Sequence, residues 1–288
     1  MRDGAFTPGF MHRGDEKLLE VRDFRQGLSL INRHNWLSPV AAEIAYAQAC
    51  EELMGLRVSD KAKALRELLL ELQELSGLLQ RIAGTFDDIE WLRIREEWVV
   101  ITEAITGARM HVSAIRLGGT TAMLDDDIVQ QIARAASAQF PSCDTSRWQG
   151  LGELPASVIE EFGMTGIPAE THDAVARIEY TIARAREITL RLPTLATTAF
   201  AMTGPTEASL PKVVRVPVGE SYQSAHSATG RVGVWLFSDG GKSPYRLALR
   251  SPSAIHMSAI ASLSNTLSFE NIHALLETVP LALGEIDR

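Results

Sequence analysis

The stretch Ser59-Asp-Lys-Ala-Lys-Ala-Leu-Arg-Glu-Leu-Leu-Leu-Glu-Leu-Gln-Glu-Leu-Ser-Gly-Leu-Leu-Gln-Arg-Ile-Ala-Gly84 decides the fold class. Leu65, Leu68, Leu69, Leu72, Leu75, Leu79 and Ile82 recur every three or four residues, the spacing that lines one face of an α-helix. Ser59 opens it as an N-cap, and Gly84 marks its end. A face this long and this apolar is core, and it needs other helices to cover it. They are present on both sides. Upstream, Ser38-Pro39 predicts a start, because Ser accepts from orphan amides and proline has no amide to leave orphaned, and Gly55 supplies the stop of a helix over 39–54. Residues 15–31 place Leu18, Leu19, Phe24, Leu28 and Ile31 on one broad face before Asn32 to Leu37 breaks the pattern. Downstream, helices are expected over 93–106, 125–138, 155–162 and 171–191, with Asp125-Asp126-Asp127 as an acidic helix start.

The pattern changes after Gly204-Pro205. Val213 to Val216 has the composition of a strand, and 232–237 pairs with 245–250 as a hairpin across Ser238-Asp-Gly-Gly-Lys242. In the second strand Tyr245, Leu247 and Leu249 alternate with Arg246, Ala248 and Arg250, giving one apolar and one basic face. Short helices over 255–264 and 269–277 follow. The expected fold is therefore α+β, mainly α: a helical part over 1–203, and a C-terminal hairpin with short helices over 204–288 packed on the same core.

Composition excludes several classes of function. With 288 residues, 45% apolar and 22% charged, the chain buries a core that needs no staple. A net charge of −8 supplies no basic field for nucleic acid. Two cysteines, Cys50 and Cys143, build no thiolate cage, the opening residues lack the apolar stretch of a signal peptide, and the usage fits a reducing cytosol. No apolar run approaches the roughly 20 residues that span a bilayer, so any membrane association is expected through a partner. The zincin, P-loop, esterase and dinucleotide signatures are all missing. The adjacent acids Asp87 and Asp88 fit either a proton-transfer site or a solvated helix end, and isolated histidines fit hydrogen-bonded core positions.

Longer strings say more. Gly9-Phe-Met-His-Arg-Gly-Asp-Glu-Lys-Leu18, Thr106-Gly-Ala-Arg-Met-His111, Ile115-Arg-Leu-Gly-Gly119, Ser238-Asp-Gly-Gly-Lys-Ser-Pro-Tyr-Arg246, Arg250-Ser-Pro-Ser253 and the closing Gly-Glu-Ile-Asp-Arg288 occur in one order. Together they resemble the D subunit (49-kDa type) of respiratory complex I, NADH:quinone oxidoreductase, a relative of nickel-iron hydrogenase large subunits. The resemblance covers most of 9–119 and 213–288, and 147–192 more loosely. It implies a mainly helical, hydrogenase-like subunit that works only in assembly. In the hydrogenase relatives two C-x-x-C pairs hold the metals, and they fall here at Asn35 to Ser38 and Ala282 to Glu285, where all four thiolates are absent. Soft metals need those ligands, so the chain is expected to bind no cofactor itself.

What the resemblance implies instead is a quinone chamber facing a terminal 4Fe-4S cluster held by a B-type partner subunit, with a C-type subunit and membrane-arm subunits as further partners. The complex would sit on the cytoplasmic side of the membrane, and this chain would be peripheral. Arg33 matches the arginine beside the cluster and His111 the histidine whose protonation follows its reduction; a helix-end cap and a packed turn are the structural alternatives for the two. Trp36 stands where the family has a quinone-binding tyrosine, and an indole donates a hydrogen bond but cannot deliver a proton. Asp88 matches the carboxylate that pairs with a histidine on a G-P-x-H-P-x-x-H-G loop, and the sequence as it stands begins after that loop. The loop after Asp88 is shortened, and the stretch after Thr165-Gly166 lacks an arginine-bearing insertion. Two functions therefore compete: a subunit lining a working quinone pocket, or a divergent non-catalytic paralogue in such a complex or in a membrane-bound hydrogenase-related one.

Overall fold

The computed structural model describes residues 6–287. Residues 1–5, on which the reading of the chain start rests, and Arg288 of the closing string lie outside the described residues. The chain runs through α1 (Asp15–Glu20), α2 (Phe24–Ile31), α3 (Pro39–Met54), α4 (Asp60–Phe86) and α5 (Ile89–Thr106), then a two-residue ribbon of β1 (Ile115–Arg116) and β2 (Gly119–Thr120). It continues through α6 (Asp126–Ala135), α7 (Ala156–Phe162) and α8 (Ala174–Ala201). An antiparallel meander of β3 (Gly219–Ser227), β4 (Gly230–Ser238) and β5 (Arg246–Arg250) follows, and α9 (Pro252–Leu263), α10 (Phe269–Thr278) and α11 (Leu283–Ile286) close the chain. The fold is α+β and mainly α.

The leucine stripe of α4 is the spine. Leu65, Leu68, Leu69, Leu72, Leu75, Leu79 and Ile82 are all buried, with α8 and α5 packed along the helix and Ser59 Oγ accepting from Ala62 N at 3.1 Å as its cap. α3 is buried nearly all round, which suits its run of alanines, because small side chains let α2, α4 and the sheet approach from every side. Its stop is Gly55 in the left-handed conformation, φ 60°.

Its start differs from expectation. Ser38 makes no side-chain cap; Asn35 Oδ1 accepts from Leu37 N (3.1 Å) and Ser38 N (3.2 Å), and Ser38 Oγ is instead used by the Ala228 amide at 3.0 Å. The loop before α3 is thereby tied to the β3–β4 turn. A Cβ on Gly77 of α4 would meet Leu37 O and Ala228 Cβ at 2.6 Å, so only glycine permits this three-way approach.

Other boundaries moved for local reasons. Residues 15–31 form two helices, because the Asp23 carboxylate accepts from Arg25 N and Gln26 N and starts a new one. α5 begins at Ile89 and α6 ends at Ala135, the former because Asp88 caps it. α8 runs ten residues past the expected end, through Pro193; Leu192, Ala196 and Ala199 keep its inner stripe buried, and that burial outweighs the one backbone bond that proline removes.

Val213 to Val216 is not a strand. Val214 and Val216 are buried in an extended segment, and the strand follows at β3, whose Gly-Glu-Ser-Tyr-Gln-Ser-Ala-His-Ser has no apolar alternation to reveal it. The hairpin of β4 and β5 is present, with Trp235 opposite Ala248, and Leu247 and Leu249 buried. Its basic face is covered in part by α1, where Glu20 accepts from Arg246 at 2.8 Å.

Candidate functional site

The loop between α2 and α3 alternates in burial. Asn32, His34 and Asn35 are buried, whereas Arg33 and Trp36 are exposed to solvent. His111, on the turn that follows α5, comes to this loop and lies beside the Asn32 carbonyl. Burial, and after it the Arg33 guanidinium, hold the His111 imidazole below its ordinary pKa, and its Nδ1 is buried without a hydrogen bond. Arg33 and His111 are therefore neighbours that feel one another. Arg33 also donates to Asn32 Oδ1 in its own loop.

The C-terminal tail completes the surface. A Cβ on Gly284 would lie 3.6 Å from Trp36 Cδ1, so the indole rests on the tail. An N-terminal segment clamps the other side of the tail: Gly9 N and Met11 N donate to the Asp287 carboxylate at 2.7 and 2.8 Å, and Arg13 donates to Gly284 O at 3.2 Å and Arg33 O at 3.4 Å. Phe10, Met11, Trp36, Met110 and Leu283 are exposed apolar side chains carried by these segments, with Phe10 at 92% and Leu283 at 62%.

Beneath the loop lie two acids. Glu43, on the first turns of α3, is fully buried; Ile115 N donates to its Oε2 at 3.3 Å, the Asn32 carboxamide lies against it, and Oε1 closes no hydrogen bond. Burial pushes this carboxyl up to about 7. Glu285, in α11, is also fully buried and takes Ser253 N at 2.9 Å and the Ser253 hydroxyl on Oε1. Burial pushes it up to about 7 as well. The two segments that match the hydrogenase cysteine pairs thus do meet: Asn35 Nδ2 donates to Thr229 Oγ1 at 2.8 Å, and the Thr229 hydroxyl approaches the Glu285 carboxyl. Amide, hydroxyl and carboxyl groups fill the junction, which is a hard-donor set unsuited to a soft metal. Among the described residues no group of His, Cys, Asp and Glu is gathered to hold a metal ion.

Asp88 stands apart from this group. Its carboxylate caps α5 through Glu90 N at 2.9 Å, and Asp87 ends α4 in the left-handed conformation, φ 51°, so both acids serve helix ends. His111 follows the opposite end of α5, whose 18 residues span about 27 Å. α4 meets the Trp36 loop at Gly77, and Asp88 lies about 15 Å further along that helix axis. Of the residues singled out in sequence, His111 lies beside Arg33, Trp36 follows Arg33 in the same loop and rests on the tail, and Asp88 caps α5. Glu43, Thr229, Ser253 and Glu285 were missed as a group. The one signal was a lone acid in the alanine-rich Val40 to Ala47 of α3, since an acid among small apolar residues has no solvent face.

Known proteins share both the sequence pattern and the architecture. Residues 89–169 and 174–288 match the sequence profile of the respiratory-chain NADH dehydrogenase 49 Kd subunit. The D 1 subunit of the NADH-quinone oxidoreductase of Streptomyces coelicolor is 29% identical over 97% of this chain and 86% of its own length. The corresponding D subunit of Citrifermentans bemidjiense is 27% identical over 97% of this chain and 90% of its own. Among solved structures, a chain of the membrane-bound sulfane sulfur reductase, an archaeal respiratory membrane complex, superposes with a TM-score of 0.89, covering 100% of this chain and 91% of that one at 24% identity. The fold is thus one that a respiratory membrane complex also uses. The chain belongs to the 49 kDa (D) subunit family of respiratory-chain NADH dehydrogenases. Among the described residues, no helix is long and apolar enough to cross a membrane.

Proposed function

We propose that this chain lines one wall of a quinone pocket in an NADH:quinone oxidoreductase-like complex, next to a 4Fe-4S cluster held by a B-type partner subunit. The observation that carries the reading is the grouping of His111 with Arg33 on the loop that also carries the exposed Trp36, a loop tied to the N-terminal segment and the tail through Arg13 and Gly284. A guanidinium and a protonatable imidazole beside a cluster favour its reduced, more negative state and raise its potential. The half-exposed indole offers a stacking face for a quinone ring. Exposed Phe10, Met11, Met110 and Leu283 supply the apolar rim that a partner would cover. The quinone and the partner's cluster would be the only redox groups; a C-type subunit and the membrane arm would complete the assembly and hold this chain peripherally on the cytoplasmic side.

The alternative is a non-catalytic paralogue in such a complex or in a membrane-bound hydrogenase-related one. Trp36 favours it, because an indole cannot protonate a reduced quinone, and Asp88, engaged as a helix cap away from Trp36, offers no substitute. The test is quinone reduction by the chain assembled with its cluster-bearing partner. The pocket reading expects turnover that falls at least tenfold in Trp36→Ala; the alternative expects none in either protein. Full-rate turnover unchanged by Trp36→Ala would place the headgroup on other residues.

A further inference from the structure

Beneath the exposed surface lies an acid that the proposed chemistry does not use. Glu285 is fully buried, and three elements other than its own helix supply its surroundings: the Ser253 amide and hydroxyl from α9, the Thr229 hydroxyl from the β3–β4 turn, and, through Thr229, the Asn35 carboxamide from the loop that carries Trp36. Among the described residues no cation reaches it. Arg13 of the N-terminal segment spends its guanidinium on Gly284 O, Arg33 O and Asp15, Arg81 of α4 on Ala228 O and Thr278 O, and Arg250 of β5 on Arg231 O and Gly163 O. His256 of α9 lies against Pro280 O and Thr165 O, and burial pushes it down to about 4, so it is neutral. Asp287 of the same tail is bound to Gly9 N and Met11 N. Asn35, Thr229 and Ser253 carry no charge. Oε2 of Glu285 closes no hydrogen bond, and a carboxylate there would leave charge density unmatched in a dry site. A protonated acid removes that penalty.

We propose that Glu285 is the proton-holding residue of the Trp36 surface: it stands as a neutral carboxylic acid in the working chain, and its ionisation, one residue from the Gly284 on which the indole rests, is what makes ligand binding there pH-dependent. Its lifted pKa, about 7, agrees with this. The inference rests on the reading of Trp36 as a quinone contact only for the last step. The carbonyl oxygens of a quinone carry partial negative charge, and a full charge once it has accepted an electron. A neutral acid next to its site tolerates that charge and a carboxylate repels it, with the Coulomb term strengthened by burial. Glu285 acts through the field at the indole and not by touching the ligand, so it is a positioning residue.

The experiment uses the full chain co-purified with its cluster-bearing partner. Infrared difference spectra recorded against pH report the protonated-carboxyl band directly. Two buried acids, Glu43 and Glu285, should lose this band between about pH 6 and 8, and Glu285→Gln should remove one of the two components while Glu43→Gln removes the other. If Glu285→Gln is poorly folded by circular dichroism, Ser253→Ala serves instead, since loss of the amide's companion hydroxyl should shift the Glu285 component to higher pH. In the same preparation, binding of decylubiquinone followed by Trp36 fluorescence should weaken at least fivefold from pH 6 to pH 8.5, and Glu285→Gln should flatten that dependence. A carboxyl band unaltered by Glu285→Gln and Ser253→Ala, or a pH dependence that survives Glu285→Gln, overturns the proposal. A band that titrates as expected in a complex that binds no quinone at any pH upholds Glu285 as the proton holder and overturns the quinone reading alone.

Discussion

Buried glutamates occur in two regions of this molecule and are treated in opposite ways. Between α4 and α8, Glu74 is 3% exposed and clasped by Arg184, Nε to Oε1 at 2.9 Å and NH2 to Oε2 at 3.2 Å, with His226 Nδ1 3.4 Å away. Burial works to raise this carboxyl, yet the nearby His226 ring and the Arg184 hydrogen bonds outweigh it and hold it below the ordinary range. Glu51 is likewise clasped by Arg66, at 3.0 and 2.6 Å. Under the α2–α3 loop and the tail, Glu43 and Glu285 are as deeply buried and are hydrogen-bonded only by amides and hydroxyls, and both are raised to about 7. Glu71 shows that nearness of cations is not enough: Arg191 lies 3.0 Å from its Oε1, but Oε2 closes no hydrogen bond, and burial keeps the carboxyl high. A forked arginine fixes charge in the body of the fold. Under the exposed loop no such fork clasps the acids, and their charge can change, as the proposed site would require.

The largest effect should come from breaking the fixed side. Arg184→Ala strands Glu74 in a dry position and should cost about 4 kcal/mol in denaturant unfolding at neutral pH, with Glu74→Gln on top of it recovering much of the loss. Full stability in Arg184→Ala would show that His226 alone satisfies the acid. The two regions should also respond to pH with opposite signs. Glu74, with its lowered pKa, contributes stability above the unfolded value near 4.5, and this is lost as pH falls through the folded value. Glu43 and Glu285, raised from 4.5 to about 7, contribute most below pH 4.5, and that stability is lost as pH rises to about 7, by up to about 3 kcal/mol each. Unfolding free energies of Glu43→Gln and Glu285→Gln should therefore vary less between pH 5 and 7.5 than those of the parent chain, and an undiminished decline would contradict the uncompensated burial of these acids.

The same contrast explains what was legible in the sequence. The α4 stripe, α3 with Pro39 and Gly55, and the β4–β5 hairpin follow from local periodicity and local caps, and the structure has them. β3 was not legible, because its small polar residues pair with β4 through backbone bonds and cover α3 without an apolar pattern of their own. The break at Asp23 and the passage of α8 through Pro193 depend on which residues are buried by distant neighbours. At the site, Arg33, His111 and Trp36 were found only through motif strings that resemble a family. Glu43 and Glu285 needed the structure: a glutamate becomes chemically distinct when no cation clasps it in the interior, and that is a property of the packing around it. Asp87 and Asp88, the acids adjacent in sequence, proved to be helix caps.

A smaller effect sharpens the comparison from the surface side. Trp36 is 43% exposed and rests on the tail, so Trp36→Phe should change unfolding stability by no more than about 0.5 kcal/mol. A loss of several times that, measured by thermal or denaturant unfolding, would make the indole a packing residue and remove it from the proposed pocket.

The most direct test of the account is the midpoint potential of the 4Fe-4S cluster proposed for the partner subunit, titrated against pH in the assembled complex with the parent chain, Arg33→Ala and His111→Ala. The account expects a parent potential that falls as pH rises, a lower potential at every pH in Arg33→Ala because a cation beside the reduced cluster is gone, and a flat pH response in His111→Ala because the coupled proton acceptor is gone. Potentials and slopes identical in all three proteins would mean that this surface does not face the cluster.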